Sequence, residues 1–462
     1  MQAPLPHQVK NMKYSGLMFA SLALCSTVSN AADQATFSGD TLHIYHVQYM
    51  NKMYDVKMQF RAPDKLILVS AAELSTMPDN PVVKVSEKLK FKVTEINIGG
   101  SIYRADIASI GGQEFQATGV ALATHGKMHK GQNISNLGIL AEGSFSYAYS
   151  ISEDGSIIAG RSRNANRVTL PIRFHYTDGH IEVLEGLGGG RAEGRAINNN
   201  GTIAGHDTIP TDDDSRVYHA FYNTTDAATK DIGTLGEGKD SRAYGINNNG
   251  IIVGWSASLA DNSDNIAYTY DSNTGAMKAL EGNILGGARS FAFGINDSGQ
   301  IAGVATTADG SALAFIYKDG VATNLGSIDN SGYSEARAIN DKGQATGWSL
   351  NAAGNYAAFI SDGSSMQALP SFGGDTKAYG INTHGHVVGS ARDAEDGKHA
   401  FLYKDGELHD LYEMLPAEDK AKWKELREAF SISDDGVIVG RGRYWSDKEN
   451  GKNYSAAFRI KL

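Results

Sequence analysis

Two arginines stand where the rest of this 462-residue chain repeats an aromatic residue, and they are the first candidates for chemistry. Five copies of a recurring Ala-x-small-Ile motif carry Tyr or Phe at the variable position; the second and fifth carry Arg195 and Arg337. Charged neighbours gather around them in sequence: Arg191, Glu193, Arg242, Arg289 and Glu335. A guanidinium is planar, permanently charged and forked, so Arg195, Arg337 and Arg242 are candidates to grip a carboxylate or sulfate, provided their strands line a channel or its mouth. The plainer alternative is that the arginine stems cover apolar surface or that the charges pair with adjacent acids.

Other chemistries find less support. The acidic turns Asp212-Asp213-Asp214, Asn296-Asp297-Ser298-Gly299 and Asp434-Asp435-Gly436 offer oxygen ligands for calcium. None has the alternating carboxylates and closing Glu of a dedicated loop, so they read as plain turns. His384-Gly385-His386 has no Cys or third His at metal spacing and reads as an exposed turn, so no metal is assigned. No Gly-x-Ser-x-Gly, His-Glu-x-x-His or phosphate loop occurs, and Leu187-Gly188-Gly189-Gly190 reads as a loop rather than a cofactor cradle. No cofactor is assigned.

What must position these residues is a repeat. The motif begins at Ala148, Gly194, Ala243, Ala292, Ala336, Ala378 and Ala429, and its isoleucines (Ile151, Ile197, Ile246, Ile295, Ile339, Ile381, Ile432) lie 46, 49, 49, 44, 42 and 51 residues apart. Each copy continues with a polar tetrapeptide ending in Gly and a second apolar run ending in Gly, the pattern of a β-hairpin. The small residue before each Ile suits a strand pressed against a neighbouring layer. A second hairpin follows, with Phe174, Phe221, Tyr268, Phe315, Phe359, Phe401 and Phe458 on its opening strand. Four strands in about 45 residues is the size of one propeller blade.

The chain ends sharpen this. The seventh copy stops at Ala457-Phe458-Arg459-Ile460-Lys461-Leu462 without a fourth strand, while an orphan fourth-strand motif, Asn136-Leu137-Gly138-Ile139-Leu140, precedes the first copy. Joining the two removes both open edges. The expected fold is therefore all-β: a seven-bladed β-propeller of four-stranded blades over 134–462, closed by strand 134–140 pairing with 456–462. A linear β-solenoid is the alternative, but it gives the terminal strands no reason to complement each other. Fifty-three glycines and nine prolines suit many short strands. One helix is expected, from Pro416 to Ala429, opening with Pro and acids as helix starts do.

Residues 32–133 read as a separate small β-rich domain. The segment from Thr41 matches that from Phe91 at an offset of 49 (Leu42 with Phe91, Val47 with Ile96, Tyr54 with Tyr103), with Glu73–Pro81 as linker. Residues 1–31 read as an extension and a cleaved signal peptide: Met12-Lys13, an apolar stretch to Leu24, and Ser29-Asn30-Ala31. Leu24 is too large to precede a lipidated cysteine, so Cys25 is not read as an anchor. Cleavage removes Cys25, the single cysteine, and two lysines, taking the net charge from −10 to −12. No basic run survives for nucleic acid, and the mature chain is not expected to insert in a membrane. A periplasmic or secreted monomer from a Gram-negative bacterium is the expectation.

His219-Ala220-Phe221-Tyr222 and His399-Ala400-Phe401-Leu402-Tyr403, each feeding a later Ala-x-x-Ile-Asn/Ser-x-x-Gly hairpin, resemble the HAF-family extracellular repeat of bacteria. The resemblance covers about 134–462; Ile266-Ala267-Tyr268, Leu313-Ala314-Phe315 and Ala357-Ala358-Phe359 depart from it by losing the His. It implies an exported protein and carries no catalytic residues. The two histidines are read as structural, packing or bonding between blades. Two functions remain: a non-catalytic binding or interaction protein for a polysaccharide or an envelope or extracellular protein, which the sequence favours, and a carbohydrate-active enzyme such as a polysaccharide lyase. The lyase requires a His or Tyr base and an Arg converging in one cleft.

Overall fold

The computed structural model describes residues 128–461 except 132, 141, 142, 178, 212–214, 226, 227, 260–263, 282 and 283, together with the strand backbones of the preceding segment. The acidic run Asp212–Asp214 thus lies outside the described residues, as do residues 1–31 apart from Leu22–Ala23 and the linker residues 74–81. The chain divides into two compact units, Met1–Lys127 and Met128–Leu462.

The second unit is a seven-bladed β-propeller of antiparallel sheets. Blade 3 is representative: Ser241–Ile246, Ile251–Ser256, Ile266–Asp271 and Ala276–Ala279 pair in chain order. The turn after each Ile is built by the repeat's own polar residues. In blade 2 the Asn198 carboxamide oxygen accepts from the N–H groups of Asn200 and Thr202, and Gly201 sits at φ 76°. The seven aromatics of the third strands are completely buried and fill the space between blades, each removing about 2–3 kcal/mol worth of apolar surface from water.

Every inner strand carries a β-bulge, between the Ala (Gly194 in blade 2) and the small residue of the motif. The bulge explains the second Gly of the repeat. A Cβ on Gly254 would lie 1.9 Å from the Arg242 carbonyl oxygen, and the equivalents on Gly160, Gly205, Gly303, Gly347, Gly389 and Gly440 would meet the matching carbonyls at 1.9–2.1 Å. The small residue before Ile faces the next blade's backbone: a Cβ on Gly294 would lie 3.1 Å from Ala338 Cα.

The ring closes as expected. Ile134–Asn136 pairs antiparallel with Lys452–Lys461, Ile134 opposite Ile460 and Asn136 opposite Phe458, and the Leu137 N–H donates to the Ala457 carbonyl at 3.0 Å. Its chemistry matches the internal fourth strands. Asn136 Oδ1 accepts from the Gly138 N–H at 2.9 Å, as Asp231 does from Gly233 and Asn324 from Gly326. A serine then rivets adjacent blades. Ser146 Oγ accepts from the Ala457 N–H and donates to the Gly138 carbonyl, as Ser241 does with Ala220 and Gly233. His129–Lys130 adds a fifth strand outside the closing one.

The expected helix is not there. Only Ala417–Lys420 is helical, and Trp423–Ile432 is the inner strand of blade 7. The reason is a stack of bulges, after Trp423, Leu426 and Ala429, each inserting one residue. They convert a strand's two-residue alternation into buried residues three apart, which mimics a helical face.

In the first unit Thr41–Tyr49, Lys52–Ala62 and Lys65–Glu73 recur as Lys90–Ile98, Ser101–Gly111 and Glu114–Leu122, every boundary displaced by the offset of 49. The two meanders join where Lys65–Glu73 pairs antiparallel with Glu114–Leu122, with Leu66 opposite Phe115. Those two residues are themselves related by the offset, so the six meander strands within the nine-stranded sheet are related by an internal twofold.

Candidate functional site

The residue left unpaired by each bulge is the variable one: Tyr149, Arg195, Tyr244, Phe293, Arg337, Tyr379 and Phe430. A bulge re-aims the side chain it carries, and here the seven meet across blade boundaries around the propeller axis. Tyr149 packs on Phe430 at 5.1 Å, Phe430 on Tyr379 at 5.5 Å and Tyr244 on Phe293 at 5.3 Å. The Arg195 guanidinium lies 4.3 Å from the Tyr149 ring and 5.4 Å from Tyr244; Arg337 lies 3.9 Å from Phe293 and 5.4 Å from Trp348, which touches Tyr379. The circuit is unbroken, with both arginines inside it. Each is also paired with the acid two residues earlier, Arg195 with Glu193 at 3.2 Å and Arg337 with Glu335 at 3.6 Å.

Two residues before the bulge, the same strands present a second ring at one mouth of the channel: Tyr147, Glu193, Arg242, Phe291, Glu335, Lys377 and Glu428. Its charges are of two kinds. Glu193 is ion-paired with Arg161 and Arg195, and Glu428 with Lys398 and Arg441, whose Nη1 also donates to the Tyr147 hydroxyl at 2.8 Å. Arg242 and Lys377, by contrast, make no ion pair among the described residues and rest on aromatic faces. Arg242 lies 4.1 Å from Tyr218 and 5.4 Å from Trp255; Lys377 lies 3.7 Å from Tyr356 and 4.8 Å from Trp348.

Protonation states follow from this layout. Burial works against the Glu193 charge, but Arg195 and its cationic neighbours outweigh it and hold the carboxyl below the ordinary range. Burial likewise opposes Glu428, and Arg441 with Lys398 overcomes it. His206 beside Glu193 is buried, with Nε2 3.9 Å from the carboxylate, and burial pushes its pKa down to about 3. Burial, then Glu193, raises the Tyr149 phenol despite Arg195 and Arg161 nearby. Burial lowers Arg337 and Lys377.

The opposite mouth is polar. Five asparagines, Asn198, Asn247, Asn296, Asn340 and Asn382, each donate from Nδ2 to the next blade's carbonyl at 2.8–3.1 Å. The next residue of each turn rims a cavity of about 160 Å³. There carboxylate oxygens of Glu153, Asp297 and Asp341 lie within 4.8 Å of one another, an oxygen-rich set of the kind hard cations take, with Asn199 donating to Glu153 and Asn248 to Asp297. The turn at 296–299 thus contributes Asp297 to a cluster, and Asp434 lines the same rim.

Other sequence candidates fall elsewhere. His384 and His386 stack at 5.7 Å in the blade 6 turn. His219 and His399 bond within their own blades rather than between blades: each Nδ1 lies 2.8 Å from a fourth-strand carboxylate, Asp231 and Asp410, and His399 Nε2 reaches Asp393. Arg191 and Arg289 are exposed. Sequence reasoning missed Arg161, His206, Lys377, Glu428 and Arg441. A signal existed: the column two residues before the bulge reads Tyr, Glu, Arg, Phe, Glu, Lys, Glu down the repeats.

No family model matches the chain, and no curated protein does. Among solved structures it is similar to a prolyl endopeptidase (TM-score 0.44, 13% identity, 80% of this chain and 55% of that one). It is also similar to an acylaminoacyl peptidase of Pyrococcus horikoshii (0.40, 12%, 87% and 58%) and to TolB from Acinetobacter baumannii (0.37, 12%, 70% and 77%). The chain spans a little over half the length of the two peptidases.

Proposed function

We propose that this protein is a non-catalytic binding propeller that takes an anionic polysaccharide at the basic, aromatic mouth of its channel. The observation carrying this is the setting of Arg242 and Lys377. A cation held by aromatic faces rather than by a carboxylate is pre-oriented yet keeps its charge for a ligand. The arginines first singled out sit deeper: Arg195 and Arg337 brace the aromatic circuit and share their charge with Glu193 and Glu335. An acidic sugar chain matches a rim that offers the cations Arg242 and Lys377 and the aromatic faces of Tyr147 and Phe291 while its glutamates, Glu193, Glu335 and Glu428, are each ion-paired, since a pyranose offers both a carboxylate and an apolar face.

The lyase alternative needs a base that can accept a proton from substrate. Tyr149 is pushed the wrong way by burial, and His206 is 4% exposed. These features favour binding. The protein's export, to the periplasm or beyond the cell, rests on the basic-apolar-small leader at 12–31 and on the likeness of the repeats to the HAF-family array. Amino-terminal sequencing of protein recovered from the periplasm or medium is expected to begin at Ala32.

The function is tested by electrophoresis through gels containing acidic or neutral polysaccharides, with absorbance followed near the unsaturated-uronate band. Retardation by acidic polymers only, weakening with salt and lost on combining Arg242→Gln with Lys377→Ala, is the expected result. A rise in absorbance would identify a lyase instead. Absence of retardation by every acidic polymer would turn the search to protein partners.

A further inference from the structure

We propose that blade 7 carries a second ligand pocket, lined by none of the channel residues, that takes a small aromatic acid bearing one negative charge. It is independent of the polysaccharide reading and is tested separately from it.

Two departures from the repeat carry the inference, because both meet at one cavity. Blade 7 has a fifth strand, His129–Lys130, outside the closing one. The connection that enters it, residues 411–422, is the longest between consecutive blades and holds the helical turn Ala417–Lys420. A cavity of about 280 Å³ lies between them: Met128 and Lys130 line it from the first, Lys422 and Trp423 from the end of the second, and Ile134 and Tyr444 complete the wall. The two departures are also fastened to each other. The Asn133 N–H donates to the buried Asp419 carboxylate at 3.2 Å, and a Cβ on Gly131 would lie 2.6 Å from the same carboxylate and 2.2 Å from the Ile134 carbonyl oxygen. The entering strand therefore passes so close to the inserted turn that only glycine fits there, and the walls of the cavity are held in place.

The lining selects the ligand. Trp423 and Tyr444 meet edge to face at 5.0 Å, and Met128 adds a polarisable thioether, a wall suited to another aromatic ring. The volume lies near the lower limit of small-molecule pockets, about 300 Å³, so it suits a compact ring and excludes an oligosaccharide. Two ammonium groups line it, and they differ. Lys422 is neutralised, 3.4 Å from Asp419 and 3.6 Å from Glu418. Lys130 makes no ion pair among the described residues; its Nζ donates to the Thr177 carbonyl at 3.3 Å and lies 4.8 Å from the Tyr176 ring. A single cation without a carboxylate calls for a single negative charge on the ligand, and an aromatic monocarboxylate supplies both the ring and the charge.

Isothermal titration of the full chain with naphthoate, naphthylmethanol and naphthylmethylamine tests this. Naphthoate is expected to bind, the neutral alcohol about tenfold more weakly and the amine more weakly still. Lys130→Ala is expected to bring naphthoate down to the affinity of the alcohol, and Lys130→Arg to keep the preference for the acid. Met128→Trp, which fills the cavity, is expected to abolish binding of both. Lys130 is exposed, so its variants keep the wild-type thermal midpoint and read the site even if Met128→Trp does not fold. Naphthoate binding that survives both Lys130→Ala and a folded Met128→Trp would overturn the pocket. So would binding that survives Lys130→Ala but is lost on combining Arg242→Gln with Lys377→Ala, which would place the ligand at the channel. Equal affinity for acid and alcohol would overturn the charge assigned to the ligand. Failure of the wild-type protein to bind naphthoate would remove the aromatic-acid site altogether, and retardation by acidic polymers would still decide the channel reading.

Discussion

At the residue scale, the His-Ala-Phe segments show a histidine acting as a strut. His219 is bonded to Asp231 and its pKa is raised, first by that hydrogen bond; for His399 burial opposes the charge, but Asp393 and Asp410 outweigh it and raise the pKa. A histidine whose folded pKa lies above its unfolded one stabilises the fold fully below the unfolded value, about 6.5, and that contribution fades as pH rises through the folded value. The thermal midpoint is therefore expected to drop between pH 6 and pH 8.5. In His399→Gln the drop should be smaller; an unchanged slope would show that the strut contributes nothing. The blades that lack the histidine also lack the partner: Leu313 faces no Asp in a fourth strand that carries Asn324 instead. The pairing in the two His-bearing blades was readable only in part, because the sequence displays both residues without showing that they face each other within one sheet.

At the element scale, the bulged inner strand is the device on which the site depends. It aims seven side chains at the axis and requires Gly on the facing strand, where a Cβ would meet a carbonyl carbon's oxygen at about 2 Å. Gly254→Ala is expected to lose ~3 kcal/mol or more of unfolding free energy in urea, because the clash is with backbone that only unpicking the bulge can move. Lys342→Ala, on an exposed turn, is expected to stay within ~0.5 kcal/mol. The repeat's glycines were visible in sequence; the bulge was not, since an inserted residue leaves the composition of a strand unchanged. The same blindness turned Trp423–Ile432 into an expected helix: three bulges space Trp423, Leu426 and Ala429 by three.

At the scale of the whole molecule, the propeller is a closed ring fastened by Ile134–Asn136 and by the Ser146 rivet. Residues 128–462 are expected to remain monomeric and to melt cooperatively, whereas residues 139–462, with two unpaired strand edges, are expected to self-associate and melt at lower temperature. Light scattering after size exclusion distinguishes them; equal behaviour would mean that the closing strand is dispensable. The sequence by itself determined the number of blades, their strand order and the closure, because each is written in residues close together or in motifs that recur at a near-constant period. It also singled out Arg195, Arg337 and Arg242 as departures from that period. Only the tertiary structure decided what those departures do. Glu193 meets Arg161 and His206, Arg441 meets Tyr147, and Glu153 meets Asp297 and Asp341 through side chains from different strands and blades. Those meetings depend on the angle at which each blade turns and each bulge points, and nothing local in the chain encodes that angle.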